Sequence, residues 1–288
     1  MTVPADVVFR GMVEDDAAAI HEVFCAAEGE LYRRHAIPWT DPPAAPRVSQ
    51  VRHLLTHDAA RCFVAESEGR MVAFTAALAR ERTWFLTWLF VRPEAQARGL
   101  GRKLLDLCWG TGFDRRLTIT DSIQPISNAI YARRGLIPAA PLLNLAGEPH
   151  ATNTGLLEAT DWDARAVAGL DRRAYGFDRA VDHVFWNELA HRTLWQRGGR
   201  PVAYSYARAD GGIGPVAGED AESAAQALRA ELARASGRVR LIVPGSSRAL
   251  VAAALEAGLR FTTPPGLLLI SDGIALPTAL AIWSFGFF

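Results

Sequence analysis

Residues Phe90 to Leu105 read FVRPEAQARGLGRKLL, a strand that runs through a glycine-bearing turn into an amphipathic helix. The strand reading ends at Val91, because Pro93 cannot continue a regular ladder, and Leu100, Leu104, Leu107 and Cys108 then fall on one helical face. Between them stand Gln96, Gly99 and Gly101. The first amides of such a helix have no intrahelical carbonyl to bond and lie at the positive end of its dipole, which suits a pyrophosphate, and Arg98 and Arg102 add charge beside it. The plainer reading of an isolated Gly-x-Gly is a tight turn and nothing more. A dinucleotide site would want a parallel sheet and an acidic residue about 20 positions on. Asp121 stands near that place, but the sheet upstream has the wrong topology.

That sheet is expected as an antiparallel meander of three strands, Arg61 to Glu66, Arg70 to Ala79 and Thr83 to Arg92. Ahead of it, Asp15 to Ala27 places Ile20, Val23, Phe24 and Ala27 at helical spacing, and four prolines between 38 and 46 predict an extended loop. After the central helix come a strand at Arg116 to Thr120 and a helix at Pro125 to Arg134, stopped by Gly135. Residues 146–154, AGEPHATNT, are small and polar and read as a linker between domains 1–145 and 155–288. The order of elements then repeats. A strand at Gly155 to Glu158 and a helix from Asp161 lead to strands at Arg192 to Gln196 and Arg200 to Ala207. A GGIGP turn, a helix over Ala221 to Leu232, a strand at Val239 to Val243 and a helix at Ser246 to Ala257 follow. Gly266 to Ile270 and Thr278 to Phe285 close the pattern as a hairpin. The charged and aromatic stretch Asp171 to Trp186 reads either as a ligand-facing surface or as an ordinary helix pair.

Composition narrows the function. The 288 residues are 50% hydrophobic and 22% charged, which is enough apolar matter for two folded domains. Basic and acidic residues number 31 each, so no general field attracts nucleic acid or an acidic membrane surface, and an anion must be held locally. Cys25, Cys62 and Cys108 are odd in number, far apart and without metal-ligand spacing, as expected of free thiols in a reducing, cytoplasmic setting with no metal. The start MTVPADVVFR shows no signal peptide. The apolar stretch Ile274 to Phe288 is interrupted by Pro277 and falls short of the ~20 residues of a membrane span, so it is expected as strand.

The run Val91-Arg92-Pro93-Glu94-Ala95-Gln96-Ala97-Arg98-Gly99-Leu100-Gly101-Arg102 resembles the acetyl-CoA signature of the GNAT N-acetyltransferase superfamily, and Tyr131-Ala132-Arg133-Arg134-Gly135-Leu136 resembles its Y-x-x-x-G-F segment. The resemblance is to a tandem-domain member with a degenerate C-terminal half. It implies an α/β (α+β) fold of two GNAT-like domains, each a mixed, mostly antiparallel central sheet flanked by helices. It further implies pantetheine held on the backbone of Leu89, Phe90 and Val91, pyrophosphate at Gln96, Ala97, Arg98, Gly99, Leu100, Gly101 and Arg102, and Tyr131 as general acid. Gln124 stands where members commonly have an asparagine that contacts CoA.

The implied activity is transfer of acetyl from acetyl-CoA to a primary amine of a small molecule or peptide. No metal, nucleic acid, membrane or obligatory oligomer is implied. The expected strands supply no carboxylate for a general base, which leaves Glu30, His35, Asp121 or water. Trp39, Trp84, Phe85 and Trp88 either line an acceptor pocket or pack in the core. In the second half the corresponding turn leads into Glu219 and Asp220, which repel a phosphate and suit a helix cap. The contrasting reading is a non-catalytic CoA- or small-ligand-binding protein that uses the degenerate half for recognition or assembly.

Overall fold

The computed structural model describes residue 4 and residues 6–150 and 155–288. The chain divides into two compact units, one of residues 1–118 and 123–134, the other of residues 119–122 and 135–288.

The first unit runs β1 (Val7–Gly11), α1 (Ala17–Arg34), α2 (Ala45–Asp58), β2 (Cys62–Ser67), β3 (Arg70–Arg80), β4 (Thr83–Val91), α3 (Leu100–Trp109), β5 (Arg115–Asp121) and α4 (Pro125–Ala132). Strands β1 to β4 form the expected antiparallel meander with one strand added at its edge, and β5 lies parallel to β4. A two-residue tip, Glu68-Gly69, turns β2 into β3 with both residues at positive φ, the backbone that matches the twist of a hairpin. Helix α3 packs Leu100 and Leu104 on Ala65 and Ala73, with Leu89 and Val91 at their margin. Phe74 meets Trp88 and Phe90 in ring contacts at 5.9 and 5.4 Å. Prolines 38, 42 and 43 do form a loop, but Pro46 falls in the first turn of α2, where its missing N–H costs no hydrogen bond.

The second unit contains β6 (Ile137–Gly147), β7 (Leu157–Glu158), α5 (Ala164–Ala174), α6 (Ala180–Leu189), β8 (His191–Arg197), β9 (Arg200–Ala207) and β10 (Gly212–Gly218). It continues with α7 (Ala221–Arg234), β11 (Val239–Pro244), α8 (Arg248–Glu256), β12 (Arg260–Phe261), β13 (Gly266–Ile270) and β14 (Leu280–Ala281). Its strands are ordered β13-β6-β11-β10-β9-β8-β7, with β12 on β6 and β14 on β10. Ala224, Ala225 and Leu228 of α7 are fully buried in its core.

Three expectations are revised here. Ala146 and Gly147, read as the start of a linker, extend β6 and pair with Arg240 and Val239, so the compact division comes at 134/135 rather than 145; residues 151–154 lie outside the described residues. The GGIGP turn is mostly strand, Gly212 being the first residue of β10. Thr278 to Phe285 does not pair with Gly266 to Ile270. Strands β10 and β11 pair in parallel only at Gly212–Ile213, leaving a fork, and β14 fills it, Ala281 and Leu280 pairing with Val216 and Ala217 while Ile282 N–H donates to Ile242 O at 3.0 Å.

Candidate functional site

Strand β4 carries the site. It pairs with β5 only from Thr83↔Arg115 to Leu86↔Thr118, and beyond Leu86 it has no ladder partner on that side among the described residues. The fork therefore opens beside Thr87 to Val91, the segment that includes the expected Leu89, Phe90 and Val91. At the fork the β3–β4 register slips: Ala76 faces Trp88 but Ala77 faces Leu86, which makes Thr87 the extra residue of a β-bulge. Two threonine hydroxyls fasten the strand there, Thr75 Oγ1 donating to Trp88 O at 2.9 Å and Thr118 Oγ1 to Leu86 O at 3.1 Å. Thr87 Oγ1 itself is buried and has no hydrogen-bond partner among the described residues.

The turn after β4 is held by Gln96, whose Nε2 donates to Val91 O at 3.1 Å, so this side chain braces the strand end. Ala97 and Gly99 have φ of 60° and 81°, and left-handed residues on either side of Arg98 turn successive N–H groups toward one concave face. An alanine in that conformation carries strain of about 1–2 kcal/mol. Gly99 caps α3, and its carbonyl accepts the Lys103 N–H at 3.1 Å, so the amides of Leu100, Gly101 and Arg102 precede the first bond of the helix. A Cβ built on Gly101 meets only Val91 Cγ2, at 3.7 Å, and φ there is ordinary. Nothing among the described residues requires a glycine at 101.

Arg98, Arg102 and Lys103 are exposed, and none has an ion pair among the described residues. Arg98 lines a hollow with Ser67 and Arg70. There the Ser67 hydroxyl, and more weakly the Arg98 charge, lower the Asp6 carboxyl below its usual range.

Gln124 is the N-cap residue of α4, and its carbonyl accepts both the Asn128 N–H and the Asn128 Nδ2. About two helical turns further on, Tyr131 is 4% exposed. Burial, and then the nearby Cys108 thiol, push its hydroxyl above the usual phenol range, against the hydrogen bond from Ser127. The thiols are also raised by burial, Cys62 to about 12 and Cys108 to about 11.

Of the expected bases, Glu30 is held by Arg33 and Arg34, which lower its carboxyl, and His35 Nδ1 lies 2.9 Å from Leu31 O. Asp121 groups with the second unit. Trp84, Phe85 and Trp88 are core residues at 0%, 1% and 4% exposure, whereas Trp39 is half-buried and donates to Asp41 Oδ1 at 2.7 Å. Sequence reasoning passed over Thr87, because a bulge depends on pairing register and leaves no mark in composition.

The counterpart in the second unit is built differently. Asp220 caps α7 by accepting the Ser223 N–H at 2.7 Å, and Arg200 and Arg173 engage Glu219. A Cβ on Gly218 would stand 2.4 Å from Ala224 N, and one on Gly214 2.4 Å from Ile282 O, so this turn is filled by the protein's own backbone. The stretch Asp171 to Trp186 is an interior network. Asp171 accepts from Tyr204 Oη at 2.5 Å and lies 2.9 Å from His183 Nε2, while Arg179 Nη1 donates to Phe288 O at 2.8 Å.

The first unit is an α/β domain in which a forked strand pair leads through a turn into a helix N-terminus. Residues 26–136 match the model of the acetyltransferase (GNAT) family. The fold of the whole chain is shared with a proposed acetyltransferase from Pyrococcus horikoshii, at 14% identity and TM-score 0.79 over 100% of this chain and 98% of that one. A GCN5-related N-acetyltransferase from Sphaerobacter thermophilus superposes with TM-score 0.67 at 17% identity, over 96% and 100%. A tandem GNAT protein from the clavulanic acid biosynthesis pathway does so with TM-score 0.59 at 14% identity, over 94% and 99%. No curated protein matches the chain. Among the described residues no helix is long and apolar enough to cross a membrane, and no cluster of His, Cys, Asp and Glu could hold a metal ion.

Proposed function

We propose that the first unit binds acetyl-CoA in the β4–β5 fork and transfers acetyl to a primary amine of a small molecule or peptide. The observation that carries this reading is the open fork at Thr87 to Val91, leading straight into a helix N-terminus whose Gly101 is required by nothing among the described residues. The residues present suit the cosubstrate. Backbone groups of Leu89, Phe90 and Val91 that β5 leaves unpaired suit an amide-bearing pantetheine arm, and the concave amides from Ala97 to Arg102 suit a pyrophosphate. Arg102 and Lys103 add charge that no carboxylate of the described residues engages. The orphaned Thr87 hydroxyl gains a partner when a polar ligand enters the fork.

Acetyl-CoA supplies the activated acyl group. Unpaired N–H groups of β4 are placed to stabilise negative charge that develops on a carbonyl oxygen in the fork. Tyr131, kept protonated by burial, holds a proton at its Oη for a departing thiolate. With Glu30 committed to two arginines, the amine reaches the site neutral or loses its proton to water.

The test is turnover and binding by the full chain. Thiol release from acetyl-CoA in the presence of a mixed amine panel is expected, together with calorimetric binding of acetyl-CoA. Binding without turnover of any amine would favour the non-catalytic reading instead.

A further inference from the structure

Arg47, half-buried, differs from the three arginines that are fully buried among the described residues. Arg80 lies 2.8 Å from Asp58, Arg92 3.0 Å from Glu22 and Arg179 3.4 Å from Asp171, so each has a carboxylate. Arg47, in the first turn of α2, has none among the described residues. Its guanidinium carbon sits 4.2 Å from the Phe24 ring centroid and 4.8 Å from that of Trp88. Nη1 donates to Gln50 Oε1 at 3.2 Å, and Nε is buried without a partner among the described residues. Loss of water pulls its pKa down to about 10, against weak opposing effects of Cys25 and Glu28.

A desolvated cation between aromatic faces gains from their quadrupoles, but the donors it leaves unmade are costly. A leucine or methionine would pack between the same rings with no such cost. The charge is therefore explained by something that arrives from outside.

Its position says what that is. Trp88 belongs to β4 at the bulge, and Phe90, two residues along, meets Phe24 ring to ring at 5.1 Å. Phe24 lies 6.1 Å from Trp39, which is 5.1 Å from Tyr32. The guanidinium thus stands among aromatic side chains beside the strand that, in the function proposed above, carries the thioester. Resting on that reading, we infer that Arg47 is the anchor for a carboxylate on the acceptor, which makes the acceptor class amines with a nearby carboxylate, such as α-amino acids with an apolar side chain. A planar guanidinium fork matches a carboxylate, and one positive charge neutralises one negative charge, whereas a phosphate dianion would bring a surplus negative charge among apolar rings.

The test uses the full chain, acetyl-CoA and matched probes: phenylalanine and leucine, their carboxamides, the corresponding decarboxylated amines, and O-phosphoethanolamine. The wild type is expected to prefer the carboxylates over the carboxamides by about tenfold or more in kcat/KM, the scale of one charge-assisted contact. Arg47→Gln should bring that ratio to about one while calorimetric affinity for acetyl-CoA stays within about twofold. A melting-temperature shift of the CoA-bound protein by each probe reads the same preference without turnover. Equal response to carboxylate and carboxamide in the wild type, a preference for the phosphate-bearing probe, or an intact preference in Arg47→Gln would overturn the inference. Arg47→Gln should melt no lower than the wild type; a variant that fails to fold would show the arginine to be structural, and the wild-type comparison decides the rest. Failure of acetyl-CoA to bind at all would instead overturn the acetyl-transfer reading on which this rests.

Discussion

Tyr131 and Thr87 make separable demands on the β4–β5 fork. If the Tyr131 hydroxyl supplies a proton, Tyr131→Phe should lower kcat about 100-fold or more with acetyl-CoA affinity nearly unchanged. The pH dependence has a definite sign. A general acid must be protonated, and burial raises this phenol above 10.0, so the alkaline loss of kcat should begin above pH 10 rather than near it. A rate profile falling between pH 8 and 9 would assign the proton to another group. Thr87 is different, because its hydroxyl makes no bond among the described residues. Thr87→Val should leave stability unchanged or slightly raised and weaken acetyl-CoA binding by about fivefold to tenfold, the worth of one hydrogen bond. A clear loss of stability by denaturant titration would mean that Thr87 serves the fold. Neither Thr87 nor Arg47 was legible as functional in the sequence, for one shared reason: the meaning of each lies in a partner that is missing, and absence of a partner shows only after everything else is placed.

The elements most legible in the sequence were those whose partners are close in the chain. Strands β3 and β4 follow one another across a short turn, and α3 is bounded by glycines, so periodicity and punctuation agreed with the final packing. Strand β6 was missed because its partners β11 and β13 arrive about a hundred residues later, and because Pro138 and Pro141 interrupt its pattern. Strand β14 has two residues and no pattern of its own; the β10–β11 fork selects it.

Helix α3 allows a test in which stability and function move in opposite directions. Glycine is a poor helix residue and an added Cβ meets only Val91, so Gly101→Ala should stabilise the fold by up to about 1 kcal/mol and yet weaken acetyl-CoA binding. In the second unit, Tyr175 Oη donates to Ala281 O at 3.0 Å and so holds β14 in place. Tyr175→Phe should cost about 1–3 kcal/mol in denaturant unfolding without altering acetyl-CoA binding. The Asp171 carboxyl, though burial pushes it up, is held below its usual range by Arg179, His183 and Tyr204. A depressed carboxylate gives stability present above its unfolded pKa and lost as pH falls through the folded one, so acid unfolding below about pH 4 should draw on this group. Asp171→Asn should lose about 3–5 kcal/mol at neutral pH, because it removes the carboxylate paired with the buried Arg179.

Across the whole molecule, each unit has a parallel strand pair that forks ahead of a helix, and the two forks differ in what fills them. In the first unit the fork leads to exposed arginines and a glycine with free space before it. In the second, β14 takes the fork and the helix begins at Asp220, beside Glu219. One acetyl-CoA per chain is what the proposed function predicts from this difference. Isothermal titration of the full chain with acetyl-CoA, beside Gly101→Asp, tests this most directly. The account predicts one equivalent bound by the wild type and none by Gly101→Asp, with the variant's circular dichroism and cooperative melting retained. Two equivalents per chain, or wild-type affinity in Gly101→Asp, would contradict it.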